Sequence, residues 1–152
     1  MSHSLTKLWV HSVFGTKNRI AMIHDNFEEK LHAHIKEHLE EGFGCGVRTI
    51  GGTADHVHIL FLLDPNHAMK DIMKNIKGES SHWVNQLDLT QRKFSWQVGY
   101  GAFSVSESHV TRVEEYIKSQ KEHHKKLTFM DEYIAFMTKH GLQCDPETVK
   151  TV

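Results

Sequence analysis

Apolar residues along this chain switch between two spacings, and the switches predict its elements. Aromatic and β-branched residues crowd Leu5 to Phe14 (LTKLWVHSVF), which reads as a strand. A polar loop, Gly15 to Arg19, follows. Phe27, Leu31, Ile35 and Leu39 then recur every four residues, the spacing of a helix with one buried stripe. Asp25 with Glu28 three residues on reads as a capping box at its start, and Gly42 and Gly44 end it. Gly46 to Ile50 is a short strand, and Gly51-Gly52 begins a turn. His56 to Leu63 (HVHILFLL) is the most apolar stretch and belongs at the centre of a sheet. Met69, Ile72, Met73, Ile76, Trp83 and Val84 mark a second helix. After a break near Leu87 to Arg92, a fourth strand is expected from about Phe94 to Phe103. Ser104 or Ser106 caps a third helix that turns Val110, Val113 and Ile117 inward. Thr128 with Asp131 opens a last short helix carrying Phe129, Tyr133, Phe136 and Met137, stopped by Gly141.

The order β-α-β-β-α-β followed by two helices predicts an α+β fold of the ferredoxin-like, split βαβ kind, the frame of RNA-recognition modules. Such a fold has a four-stranded antiparallel sheet with helices on one face, and the extra C-terminal helices are free to cover the other. The 152 residues suit one domain with a core of about residues 5–141 and a short C-terminal tail. No apolar run approaches the ~20 residues that span a bilayer, and the opening residues lack a signal-peptide layout, so a cytoplasmic protein without membrane contact is expected. Cys45 and Cys144 form no CxxC pair and are expected as reduced thiols. With 18 Lys+Arg against 19 Asp+Glu the net charge is −1, which argues against indiscriminate nucleic-acid binding but leaves room for a local basic patch.

Two features carry chemistry. His56 and His58 flank Val57 on the central strand, and side-chain alternation sends both imidazoles to one face while Val57, Ile59 and Phe61 take the other. The pair has the spacing to share a metal ion; it also fits a strand mouth where each ring bonds backbone or water. Tyr116 and Gln120 lie four apart in VEEYIKSQ, one turn along a helical face displaced from the stripe Val110-Val113-Ile117. By itself Tyr116 fits a half-buried tyrosine with its hydroxyl in water.

Taken together, GGTADHVHILFLL, IKGESS and SVSESHVTRVEEYIKSQKEHH, with the opening WVHSVFGTKNR, resemble the HUH single-tyrosine transposases of the insertion sequence 200/605 kind, REP-associated tyrosine transposases included. The resemblance runs from about Leu5 to Gly141. It implies that Tyr116 is the nucleophile on a C-terminal catalytic helix. It implies also that His56, His58 and Gln120 hold one divalent ion, Mg²⁺ or Mn²⁺, with His123 and His124 as competitors for the place of Gln120. The implied activity is cutting and rejoining of single-stranded DNA through a 5′-phosphotyrosine, with recognition of hairpins at element ends. The implied assembly is a homodimer in which the tyrosine helix commonly completes the partner's site. A covalent ester would conserve the energy of the broken phosphodiester for the rejoining step.

Candidate DNA contacts are Arg19 after the first strand, Lys74 and Lys77 on one side of the second helix, and Ser80 beyond them, with Lys17, Lys70 and Ser81 nearby. Trp83 and Trp96 are candidates for base stacking or for the core. The rival reading is a nucleic-acid-binding module without cleavage, either a domesticated transposase or a domain like the RNA-recognition motif. Strand three, however, presents His56 and His58 in place of stacking aromatics. A histidine-triad hydrolase would need a third alternating histidine where Leu60 stands, and a cupin would need a glutamate that Phe61 to Asp64 do not provide.

Overall fold

The computed structural model describes residues 3–143. Four strands, β1 (Trp9–Gly15), β2 (Val47–Thr53), β3 (His56–Leu62) and β4 (Gly101–Val105), form one antiparallel sheet in the order β2-β3-β1-β4. That order and the intervening helices α1 (Glu28–Glu37) and α2 (Met69–Gln86) are the split βαβ arrangement that the pattern predicts. Cys144 and Pro146 lie outside the described residues. Within them, no helix is long and apolar enough to cross a membrane.

The sheet separates two kinds of interior. Phe14, Val57, Ile59 and Phe61 face α1 and α2, where Leu31, Ile35, Leu39, Ile72, Met73, Ile76 and Val84 complete the main core. The predicted α1 stripe is therefore buried, as is that of α2 apart from the half-buried Met69 and Trp83, and Cys45 is a free, buried thiol beside them. The opposite face is covered by the C-terminal helices α3 (Val110–Lys118), α4 (Gln120–His123) and α5 (Phe129–Lys139). Val110 and Ile117 pack there on Trp9 and Leu60, and Phe129, Tyr133 and Met137 pack on Val13 and Phe103.

Four local details differ from the sequence-based expectation. Helix α1 starts at Glu28, and no side chain caps it: the His24 carbonyl accepts from the amides of Phe27 and Glu28, so Asp25 only joins the preceding turn. Gly51 and Gly52 lie inside β2, not in a turn, because α3 crosses there so closely that a Cβ on Gly51 would sit 2.6 Å from the Ile117 carbonyl oxygen. The fourth strand is shorter and later than Phe94 to Phe103. Phe94 and Trp96 are strand-like in type but serve the core, with Trp96 making one isolated bridge to Thr16, and Gly99 at φ +92° breaks the path before β4. Finally, the tyrosine helix is interrupted at Ser119, so Tyr116 lies in the last turn of one helix and Gln120 begins the next. Thr128 caps α5 as expected, accepting from the Asp131 amide.

Candidate metal and nucleophile site

Strand pairing aligns His56 with Gly15 and His58 with Val13, which puts both imidazoles on the C-terminal-helix face of the sheet. Both are fully buried there, and Gln120 is 1% and Glu132 2% exposed. Burying four polar side chains is costly unless each finds a partner, and here they find one another. Glu132, on the first turns of α5, is the hub. Its Oε1 lies 2.9 Å from His58 Nε2 and its Oε2 accepts from Gln120 Nε2 at 3.0 Å. The Tyr116 hydroxyl donates to the same Oε2. Gln120 Oε1 lies 2.8 Å from His56 Nε2. Tyr116, His56, His58 and Gln120 are thus brought together within one chain, where the resemblance implied a tyrosine helix that completes the partner's site, and they meet on a carboxylate that the sequence did not single out.

Two further histidines join the cluster. His11, on β1, meets His58 Nδ1 through its Nε2 at 2.7 Å. His124 lies edge-on against His56 at 4.4 Å; its buried Nε2 is 3.2 Å from Glu132 Oε2 and has no hydrogen-bond partner among the described residues. His123, the other competitor for a ligand role, is turned away: its Nε2 meets Ser119 Oγ at 3.1 Å, and its ring lies against that of Tyr116.

The donor set fits a cation. Asp55 Oδ1 takes His56 Nδ1–H at 2.7 Å, which leaves Nε2 as a lone pair aimed at two acceptors, Gln120 Oε1 and, 3.6 Å away, Glu132 Oε1. A positive ion among these oxygens and nitrogens would satisfy that arrangement. A ring fixed by a carboxylate behind it is the usual support of a metal-binding histidine. Ligand atoms of His56, His58 and Glu132 lie within 4.8 Å of one another, close enough to share one ion.

Burial and charge tune the same groups. Burial pulls the His58 pKa down to about 4, against the opposing pull of Glu132, and it lowers that of His11 as well. Burial would raise Glu132, but bonds and charge from His58, with the donors of Tyr116 and Gln120, outweigh it and hold the carboxyl well below its usual range. Tyr116 moves the other way: burial first, then Glu132, push its hydroxyl well above its ordinary pKa. The phenol therefore keeps its proton at rest, oriented by an ionised carboxylate.

A pH prediction follows. A histidine whose folded pKa is depressed adds stability above the unfolded value near 6.5, and that stability is lost as pH falls toward the folded value. In EDTA, melting temperature is expected to fall between pH 6.5 and 4, by on the order of 5 °C. Calorimetry showing no change across this window would mean that the buried histidines take up protons in the folded protein as they do in the unfolded one.

The predicted DNA contacts fall in two places. Lys70, Lys74 and Lys77 line a surface cleft of about 430 Å³ with Trp96, Gln97 and Tyr100. Lys74 is exposed. Lys77 instead holds the cleft wall, donating to the carbonyls of Gln97 and Gly99 at 2.6 and 2.5 Å, and burial lowers its pKa to about 8. Ser80 is fully buried and accepts from Trp96 Nε1 at 2.9 Å, so its hydroxyl supports that wall from behind. Arg19 lies elsewhere, its guanidinium 4.5 Å over the Phe129 ring at the start of α5. Trp83 is half-buried and stacked on His34.

A sheet of this order, with two histidines on its central strand and a tyrosine helix laid across them, is the frame of a tyrosine transposase. Residues 4–120 match the family described as "Transposase IS200 like", and the chain belongs to that family. It is 32% identical over 82 residues to the ISDra2 transposase TnpA of Deinococcus radiodurans, an alignment taking in 51% of this chain and 59% of that protein. The fold is shared with the crystal structure of a candidate transposase from Deinococcus radiodurans R1 (TM-score 0.62, 23% identity, 79% of this chain and 95% of that one). It is shared also with the REP-associated tyrosine transposase bound to a REP hairpin (TM-score 0.60, 13% identity, 84% of this chain and 76% of that one). Glu132 lies beyond the stretch that matches the family.

Proposed function

We propose that this protein is a metal-dependent tyrosine transposase acting on single-stranded DNA. The observation that carries the reading is the meeting of the Tyr116 hydroxyl, His56, His58 and Gln120 on one buried carboxylate. In the proposed reaction the Tyr116 oxygen bonds to the backbone phosphorus and loses its proton. The P–O3′ bond breaks, and the 3′ oxygen leaves as a hydroxyl with a proton gained. The protein stays joined to the 5′ phosphate, and attack by another 3′ hydroxyl reverses the step and seals a new junction. Glu132 orients the nucleophile, and Asp55 and His11 fix the rings of His56 and His58 from behind.

His56, His58 and Gln120, with Glu132 added, would hold one divalent ion. Bound there, the ion would supply positive charge to a non-bridging phosphate oxygen and to the developing phenolate. Imidazole favours Mn²⁺, while a carboxylate and an amide oxygen also suit Mg²⁺. The cleft of Lys70 and Lys74, braced by Lys77, Ser80 and Trp96, is the proposed face for duplex or hairpin phosphate, the kind of DNA to which the REP-associated relative is bound. Arg19, over the Phe129 ring that stacks on His56, is proposed for the strand being cut. A homodimer, if formed, would carry two sites, each with tyrosine and histidines from the same chain as arranged here.

The test is a denaturing gel with labelled single strands from the flanks of its own gene, in Mn²⁺, Mg²⁺ or EDTA. A metal-dependent covalent protein–DNA band is expected. Retardation of DNA in a native gel with no covalent band under any metal would replace the reading with a binding-only protein.

A further inference from the structure

Beside the nucleophile is a second cleft, of about 310 Å³, that the reaction scheme does not use. It lies between α3 and α5, with Arg112, Val113 and Tyr116 on one wall, Ala135, Phe136 and Lys139 on the other, and His11 and Glu132 at its floor. Tyr116 and Glu132 border it, whereas His56, His58 and Gln120 do not. Elsewhere the Tyr116 ring is covered, by His123 at 4.7 Å and His58 at 6.0 Å between centroids.

The lining suits one class of occupant. Phe136 stands edge-on to both Tyr116 and His11, at 5.6 and 5.1 Å, and with Val113, Ala135 and Leu127 gives mostly apolar walls that can flank a flat ring. Arg112 and Lys139 border the same cleft and make no ion pair among the described residues, so both are free to meet phosphate. The acid at the floor is already hydrogen-bonded by Tyr116 and Gln120, which spreads its charge away from the opening. Planar apolar walls with cations beside them are the features by which proteins hold a base and its backbone in single strands.

We propose that this cleft holds the base of the nucleotide adjoining the cleaved phosphate, with Phe136 as its stacking wall and Arg112 and Lys139 on the neighbouring phosphates. The proposal rests on the transferase reading and gives that site a protein-held base in addition to the nucleophile.

The experiment replaces each nucleotide of a cleaved strand, one at a time, by an abasic unit and measures the yield of covalent adduct. For wild-type protein the loss at one nucleotide next to the cut is expected to be about tenfold, the size of a single base stack. In Phe136→Ala that penalty is expected to shrink to about twofold or less, because the two changes remove the same contact. Ala135→Trp, at an exposed position, fills the cleft without hollowing the core. It is expected to lower adduct yield with intact strands and to erase the abasic penalty. Equal abasic penalties in all three proteins, or none in the wild type, would overturn the base pocket while leaving the transferase intact. Absence of any adduct with wild-type protein would remove both readings together.

Discussion

Tyr116→Phe is expected to abolish the covalent protein–DNA band, by at least about 10³-fold in rate, while DNA retardation in a native gel changes by less than about threefold. Phenylalanine keeps the ring contacts to His123, Phe136 and His11 and loses only the hydroxyl. Glu132 would still accept from Gln120 and face His58, so the buried carboxylate is not orphaned. The folding cost is therefore that of one hydrogen bond to a charged group, about 1.5–3 kcal/mol. A melting temperature no more than about 10 °C below wild type, beside a missing adduct, separates lost chemistry from lost structure. An adduct that persists at wild-type rate in Tyr116→Phe would assign the nucleophile to another residue and undo the proposed site.

Glu132→Gln carries the second large effect. The substitution keeps shape and an acceptor oxygen but removes the negative charge beside His56 and His58. If the carboxylate is a ligand, Mn²⁺ affinity measured by calorimetric titration is expected to fall by about 10- to 100-fold, a loss of about 1.4–2.8 kcal/mol. Retention of wild-type affinity would limit the ligands to His56, His58 and Gln120 and leave Glu132 with orientation of Tyr116 alone. Gln120→Ala provides the comparison. It should weaken the ion and also remove one donor to Glu132, so its effect and that of Glu132→Gln are expected to be non-additive.

The extents that sequence reading misjudged have a common cause. Phe94, Trp96 and Val98 alternate like strand residues, yet Phe94 and Trp96 are consumed by the core through Asn85, Ser80 and Thr16. Alternation records that a side chain is buried, not that its backbone is paired. Gly51-Gly52 reads as a turn because glycine is common there, while its use in β2 is to admit the backbone of α3 at Ile117, far later in the chain. The capping signal at Asp25 is offset by the turn through His24.

The site divides along the same line. His56 and His58 were legible because a period of two on an apolar strand leaves two polar residues facing one way. Tyr116 and Gln120 were legible from helical spacing and from the family resemblance. Glu132 was not. It stands beside Asp131 on an amphipathic helix, where adjacent acids look alike, yet Asp131 is exposed near the helix start and Glu132 is buried at the centre of the cluster. The only local hint was its place, one residue before the apolar Tyr133. His11 was hidden among 14 histidines, although alternation with Trp9 and Val13 places it on a definite face.

By itself, then, the sequence determined which residues lie on each face of each strand and helix, since covalent geometry dictates the periods of two and 3.6. It determined the order of elements and hence the split βαβ plan. Which faces meet was decided only by the tertiary structure: the register that sets His11 beside His58, the break at Ser119 between the helices of Tyr116 and Gln120, and the docking of α5 that brings Glu132 between Tyr116 and the histidines. Those contacts join residues far apart in the chain, and their energy comes from partners that no local pattern names.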